Sequence, residues 1–361
     1  MCIRDRAIAV QTGLSENQYH IFILDYPDDL DECYSKIENI QADIQSRFPD
    51  AEVIANFTGG TKVMSASLAF FGVMNPEWKL SLNIGKRKDI IKVTSGDVPV
   101  LINKWKIFRK QKIVEAKNAL QRYDYEAALH VFEEFLMQPL EREYQLQLQE
   151  WINVCKAFSC WDRYNHAAAL ELISDYGRHY KDYILILKKL LKQDKNHHGY
   201  ELVADLVNNA ERKAAQGRYD DAVARLYRAT ELFGQIRLDV IIPQSELGRL
   251  KLGDLPENLQ DDYKDRAREN KQLLLGLCDV YTLLHRLHDS VGDIYQKMEK
   301  KVLDALYKRN NSIYAHGLRP LACEDYRVVK ESLCGLLTKA AEAIGVDLSQ
   351  AQLPSLMEDV D

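Results

Sequence analysis

The chain has 361 residues, is 46% hydrophobic and 28% charged, and carries a formal net charge of −6. That balance excludes a generic polycation and confines any nucleic-acid binding to local patches. No apolar run approaches the roughly 20 residues that a membrane span needs, so no membrane role is expected. Cysteines at 2, 33, 155, 160, 278, 323 and 334 form no Cys-x-x-Cys pair. No zinc site is therefore expected, and with no visible secretory signal the reading is a reducing cytoplasm.

The first residues, Met1 to Arg6, fit no capping or strand pattern. The first convincing element is a β-rich run, Tyr19–Leu24, with His20–Leu24 as a buried strand. An α/β domain starting there lacks its opening strand, so a native N-terminal segment is expected to be missing and replaced by a few foreign residues. Pro27-Asp-Asp-Leu-Asp-Glu begins a helix with acids in its first turn, where they complement the dipole, and the pattern runs to about Arg47. Glu52–Asn56 reads as a strand, Thr58–Ser65 as a turn, and an apolar helix follows to about Met74. Lys79–Ile84 and Ile90–Thr94 read as strands around Gly85-Lys-Arg-Lys. This alternation predicts a parallel, Rossmann-like sheet.

The turn Thr58-Gly-Gly-Thr-Lys-Val-Met-Ser65 sits where a strand hands over to a helix. Its glycines let a ligand approach the backbone, and free N–H groups at a helix start favour an anion. The spacing is neither that of a P-loop nor Gly-x-Gly-x-x-Gly, and a tight turn holding nothing fits the residues equally well.

From Trp105 onward the pattern is helical. Three pieces echo one another: Gln121-Arg-Tyr-Asp-Tyr, Trp161-Asp-Arg-Tyr-Asn and Gly217-Arg-Tyr-Asp-Asp. Each opens a helix rich in small residues, as in tetratricopeptide-like hairpins, with Tyr123, Tyr164 and Tyr219 at unequal spacing. Lys192–His198 reads as a loop; His197 and His198 lack the carboxylates or cysteines of a metal site. Asn208 to Gly234 reads as a helical hairpin whose Arg225 and Arg228 share a solvated face. Ile241–Gln260 reads as a loop-rich insertion. Lys271–Arg286 and Ser290–Lys308 read as amphipathic helices, Asp325–Ile344 as a closing helix, and the acidic tail from Gly345 as frayed.

Near the end stands Tyr307-Lys-Arg-Asn-Asn-Ser-Ile-Tyr-Ala-His-Gly317. Arg309 and His316 are seven positions apart, a spacing that returns to one helix face after two turns. A guanidinium is a permanent forked donor for phosphate, and an imidazole moves protons near neutral pH. The pair can cleave RNA without a metal, the imidazole serving the 2′-hydroxyl or the leaving oxygen and the guanidinium the charge on phosphorus. The bland reading is an exposed arginine and a helix-end histidine before the stop signals Gly317 and Pro320.

Two distant stretches then carry a resemblance. Asn56-Phe-Thr-Gly-Gly-Thr-Lys-Val-Met-Ser resembles the ligand loop of CARF domains, the Rossmann-like sensors of CRISPR-associated proteins. Arg309-Asn followed by His316 resembles the Arg…His motif of HEPN ribonucleases. Their order resembles the CARF–HEPN accessory ribonucleases of type III CRISPR systems. The resemblance implies a fold: an α/β Rossmann-like CARF domain (incomplete at its start), then an all-α region ending in a HEPN domain. The expected boundaries are 1–104 for the sensor, 105–198 for a helical linker and 199–361 for HEPN.

The resemblance also implies a function: metal-independent cleavage of single-stranded RNA by a homodimer, switched on by cyclic oligoadenylate, with no cofactor and no stable tie to the type III effector. Thr58, Gly59, Gly60, Thr61, Lys62 and Ser65 would line the activator pocket. Arg309 and His316 of both subunits would form the catalytic site, with Asn310 positioning them, and products would end in a 2′,3′-cyclic phosphate. A CARF opening strand and glycine loop have no counterpart before Tyr19, a departure from the family's pattern at the activator pocket. Two other readings stay open: a non-catalytic sensor or helical scaffold, and a HEPN toxin gated by something other than a nucleotide.

Overall fold

The computed structural model of the chain describes residues 13–85, 87–88, 91–92, 98–138, 140–243, 250–267 and 272–356. The chain divides after Lys112 into two compact units. Met1–Arg6 lies outside the described residues.

In the first unit Asp29 caps the Leu30–Arg47 helix, its side chain accepting from Glu32 N at 3.0 Å, with Asp31 and Glu32 in the first turn. The short strand Ile54–Asn56 runs parallel to Lys79–Ile84, with Ala55 opposite Leu80. Val98–Ile102 then pairs antiparallel with Lys79–Ile84, from Leu80–Ile102 to Ile84–Val98. The sheet is thus only half parallel. Every residue of Val98–Ile102 is exposed, and Pro99, which lacks a ladder N–H, suits this outer position. A second correction concerns Tyr19–Leu24, which joins no ladder among the described residues. A β-rich composition marks a chain that fits a pleated, half-buried surface, but it supplies no neighbour to pair with. Of Ile90–Thr94, only Ile91–Lys92 is described, paired in a two-residue ladder with Arg87–Lys88; the rest lies outside the described residues.

The core of this unit is Ile37, Ala55, Phe71, Trp78 and Leu80, with Phe71 edge-on to Trp78 at 5.0 Å. Lys104 is buried, and its ammonium donates to the carbonyls of Gly72, Asn75 and Trp78, so a cation caps the C-terminal end of the Lys62–Met74 helix.

The second unit is helical. Tyr125–Leu136, Arg142–Asp162, His166–Ile173 and Gly177–Leu190 stack in succession. A bundle follows of Glu201–Ala215, Tyr219–Ile241, Leu277–Arg286, Ser290–Asn310 and Cys323–Ala343, sharing one core around Phe233, Tyr281, Tyr295 and Leu336. Gly292 makes the closest helix approach: a Cβ there would lie 2.0 Å from His285 N.

The three echoed turns share a geometry, but their equivalence is shifted. Tyr123, Tyr164 and Gly217 occupy the left-handed position, with φ of +56°, +66° and +75°, so Gly217, not Tyr219, is the counterpart. His288, at +60°, makes a fourth such corner. In each, the next residue closes the preceding helix by a backbone bond five positions back: Asp124 to Ala119 O, Asn165 to Cys160 O, Arg218 to Lys213 O and Asp289 to Leu284 O, at 2.9 to 3.0 Å. Asp124, Asn165 and Asp289 then cap the following helix with their side chains.

The tail corrects the frayed reading. Leu353 is buried, Tyr125 donates to Pro354 O at 2.8 Å, and Arg212 Nη1 donates to Gln352 Oε1 at 2.6 Å. A polar tail docks here because its amide and carbonyl groups pair with buried donors.

Candidate active site and ligand loop

The Ser290–Asn310 helix presents Arg309 in its last turn and ends there, with Asn311 as C-cap. This overturns the single-stripe reading, since His316 is not on that helix. Residues 311–316 form a string of turns instead. Ser312 N donates to Arg309 O at 3.0 Å and Ala315 N to Ser312 O at 3.1 Å. His316 N then donates back to Asn310 O at 3.1 Å, so the chain returns to the helix end it left. The outcome keeps the histidine beside the helix terminus, by loop closure rather than by helical periodicity.

Gly317 makes this closure possible. A Cβ there would lie 1.9 Å from Asn311 O and 2.2 Å from Asn311 C. Its N–H donates to Ser312 O at 3.2 Å, and Ser312 is itself buried. Read in the sequence as a helix stop, Gly317 is a close-approach residue inside the loop. Beyond it, Leu321 N donates to Asp220 Oδ2 at 3.1 Å. Asp325 receives Lys308 Nζ at 2.6 Å and Arg319 Nη2 at 3.7 Å. Those contacts, Lys308 first and the Ala322 N–H next, hold its carboxyl below the usual carboxylate range. An open cleft of about 300 Å³ lies along this face, lined by Tyr307, Lys308, Asn311 and Arg319 among others.

Arg309 is half-buried, and its guanidinium carbon sits over the Tyr227 ring, 4.4 Å from the centroid. Its Nη1 donates to Asn310 Oδ1 at 3.1 Å, while its Nε is buried with no hydrogen-bond partner. His316 and Asn310 are exposed. Arg309, Asn310 and His316 therefore gather at one helix end. The sequence reading placed Tyr227 on the Asn208–Gly234 hairpin as solvated surface, with no role at the site, whereas its ring is half-buried under Arg309. Arg225 and Arg228 are not a free solvated face. Arg225 bonds Asp221 at 3.0 Å and reaches Asn209, and Arg228 Nη1 bonds Glu231 Oε2 and Gln235 Oε1 at 2.8 Å each.

The Thr58–Ser65 turn is built largely by its own hydroxyls. Thr61 caps the Lys62–Met74 helix, accepting from Met64 N at 3.2 Å and donating to Pro27 O at 2.7 Å. Ser65 Oγ donates to Gly59 O at 2.9 Å, and Thr58 Oγ1 accepts from Asn83 N at 2.7 Å. Gly60 adopts a φ of +95°, which its missing Cβ permits. Gly59, Gly60 and Lys62 are exposed, so the loop offers water its backbone and one ammonium at a helix N-terminus. That arrangement suits a phosphate. No group of three or more His, Cys, Asp or Glu suited to a metal occurs among the described residues, and no helix in them is long and apolar enough to cross a membrane.

Residues 191–339 match the family model described as the Csm6 HEPN domain. Among solved structures, the chain is similar to Enterococcus italicus Csm6 bound to cyclic hexa-2′-fluoro-hexa-dAMP. The identity is 16% and the TM-score 0.60, over 95% of this chain and 82% of that one. At that identity the likeness is one of fold. No curated protein matches the sequence.

Proposed function

We propose, for a chain with the CARF–HEPN fold whose residues 191–339 are a HEPN domain of the Csm6 kind, a ribonuclease of type III CRISPR defence gated by cyclic oligoadenylate. The observation that carries this reading is the loop closure from His316 N to Asn310 O at 3.1 Å, which sets an exposed imidazole at the end of the helix bearing Arg309. In the reaction the 2′-oxygen of single-stranded RNA attacks the adjacent phosphorus and the bond to the 5′-oxygen breaks. His316 takes the 2′ proton or supplies one to the leaving oxygen, and Arg309 holds the charge that builds on the phosphoryl oxygens. The products are a 2′,3′-cyclic phosphate and a 5′-hydroxyl, and no metal takes part. A second copy of the chain supplies the second Arg309 and His316, with Asn310 orienting the pair. Thr58, Gly59, Gly60, Thr61, Lys62 and Ser65 line the activator loop, where backbone N–H groups and Lys62 meet phosphates of the ring. The domain limits 1–104, 105–198 and 199–361 belong to this proposal, as does a cytoplasmic location.

The test combines the chain with tetra- or hexa-adenylate rings and a fluorogenic RNA, in buffer containing EDTA. Activator-dependent cleavage is expected from the wild type, falling at least about a thousandfold in His316→Ala or Arg309→Ala with folding and oligomeric state unchanged. Cleavage that persists in both variants rejects the assignment.

One observation favours a second reading, a scaffold without catalysis. Arg309 is half-buried against Tyr227, as a packing residue would be. On that reading Arg309→Ala lowers the melting temperature and no RNA is cut at any activator concentration.

A further inference from the structure

We infer that Tyr227 is a positioning residue for Arg309. Its ring is a cradle that sets the plane and direction of the guanidinium toward a phosphodiester. The inference rests on the ribonuclease reading above.

The geometry is specific. The guanidinium carbon stands 4.4 Å from the ring centroid, well within the reach of a cation–π contact. Arg309 Nη1 is drawn to Asn310 Oδ1, and its buried Nε has no partner. Two constraints, a ring beneath and an amide to one side, fix a side chain that would otherwise sample many rotamers. Both are of modest strength, so the guanidinium keeps hydrogen-bonding capacity for a phosphate.

Tyr227 is itself held in place. It lies half-buried on the Tyr219–Ile241 helix, whose neighbouring residues Leu226 and Ala229 are fully buried in the bundle core. Two residues before it, Arg225 bonds Asp221 on the same helix and ties that helix to Asn209 on the Glu201–Ala215 helix. Asn209 in turn donates to Asp162 at 2.9 Å on the preceding hairpin. The Tyr227 hydroxyl is pushed above its ordinary pKa by burial first and Glu231 next, so the ring stays neutral near pH 7. A neutral phenol offers Arg309 its face without a competing charge.

The experiment compares wild type with Tyr227→Phe and Tyr227→Leu in the full chain. Activator-stimulated kcat and KM for RNA are measured, and the Arg309 Nε–Hε signal is followed by NMR, assigned through Arg309→Lys. Tyr227→Phe keeps the ring and is expected to stay within about twofold of wild type, with the ring-shifted Arg309 signal intact. Tyr227→Leu is expected to lower kcat about tenfold with KM within twofold, and to move the Arg309 signal to that of a solvent-exposed arginine. Folded Tyr227→Leu that cleaves like wild type, or faster, overturns the inference, as does Tyr227→Phe falling as far as Tyr227→Leu. If Tyr227→Leu fails to fold, Phe decides alone: loss of the shifted signal or of activity overturns it. A wild type that cuts no RNA yet shows the shifted signal, lost only in Tyr227→Leu, rejects the ribonuclease reading while supporting Tyr227 as the residue that holds Arg309.

Discussion

Gly317 decides whether His316 can come back to Asn310. Any side chain at this position would meet the backbone of Asn311, with a Cβ 1.9 Å from its carbonyl oxygen. Backbone cannot yield as a flexible side chain can, so Gly317→Ala must open the loop. Overpacking of this kind costs about 1–3 kcal/mol. The expected outcome is a lower denaturant midpoint, together with at least a tenfold loss of RNA cleavage and unchanged activator binding. Wild-type cleavage in Gly317→Ala would mean that the return of His316 to the helix end is dispensable for catalysis.

At the scale of elements, the corners are the recurring device. A helix ends, one residue turns left-handed, the next caps a new helix, and the bundle reverses direction. His288 fills the left-handed position with an exposed side chain at φ +60°, where a Cβ costs roughly 1–2 kcal/mol and glycine costs no strain. After the extra chain entropy of glycine, His288→Gly is expected to stabilise the protein by about 0.5–1 kcal/mol in urea denaturation, with cleavage unaltered. No change in midpoint would show that the strain is relieved elsewhere. These corners also mark where the sequence could be read and where it could not. Acids at Asp29 and Asp31 announce a helix start, because capping is local chemistry, whereas Thr61, read inside the turn, caps a helix that already begins at Lys62. The left-handed residue is a backbone state that tyrosine, glycine and histidine all occupy here, so the echoed letters aligned on the wrong residue. Val98–Ile102 shows no buried face, so no alternation marked it. The candidate site was half legible in its geometry. Arg309 and His316 were singled out by residue type, but helical periodicity put them on one stripe, whereas a loop of turns brings the histidine back to the helix end.

Across the helical unit, charges buried between successive hairpins hold the structure in one arrangement. Asp162 receives Arg212 Nε at 2.8 Å, Asn209 at 2.9 Å and the ammonium of Lys213, all from the Glu201–Ala215 helix. Asp205 receives Trp161 Nε1 at 2.9 Å and sits 3.0 Å from His166 Nε2. The C-terminal tail completes this network. Gln352 accepts from Arg212 Nη1 and donates to Asn208 O at 2.9 Å, while Asn208 Nδ2 reaches Gln350 O at 3.0 Å. Arg212 is fully buried, so its guanidinium depends on these few acceptors. Removing residues 350–361 takes away the Gln352 acceptor and uncovers the site of Leu353. Arg212 keeps Asp162, so what is lost is one hydrogen bond to a charged group, about 1.5–3 kcal/mol, and the burial of Leu353, about 1.5–3 kcal/mol, for an expected loss of about 3–5 kcal/mol. The truncated chain should unfold at a lower urea concentration and be cut by protease near the Asp162–Arg212 junction before the rest of the bundle yields. A single Gln352→Leu substitution removes the same acceptor while keeping the tail, and should reproduce part of the loss. A truncated chain as stable as the full one would show that water replaces Gln352 at Arg212 without penalty, and that the tail only covers a unit already complete.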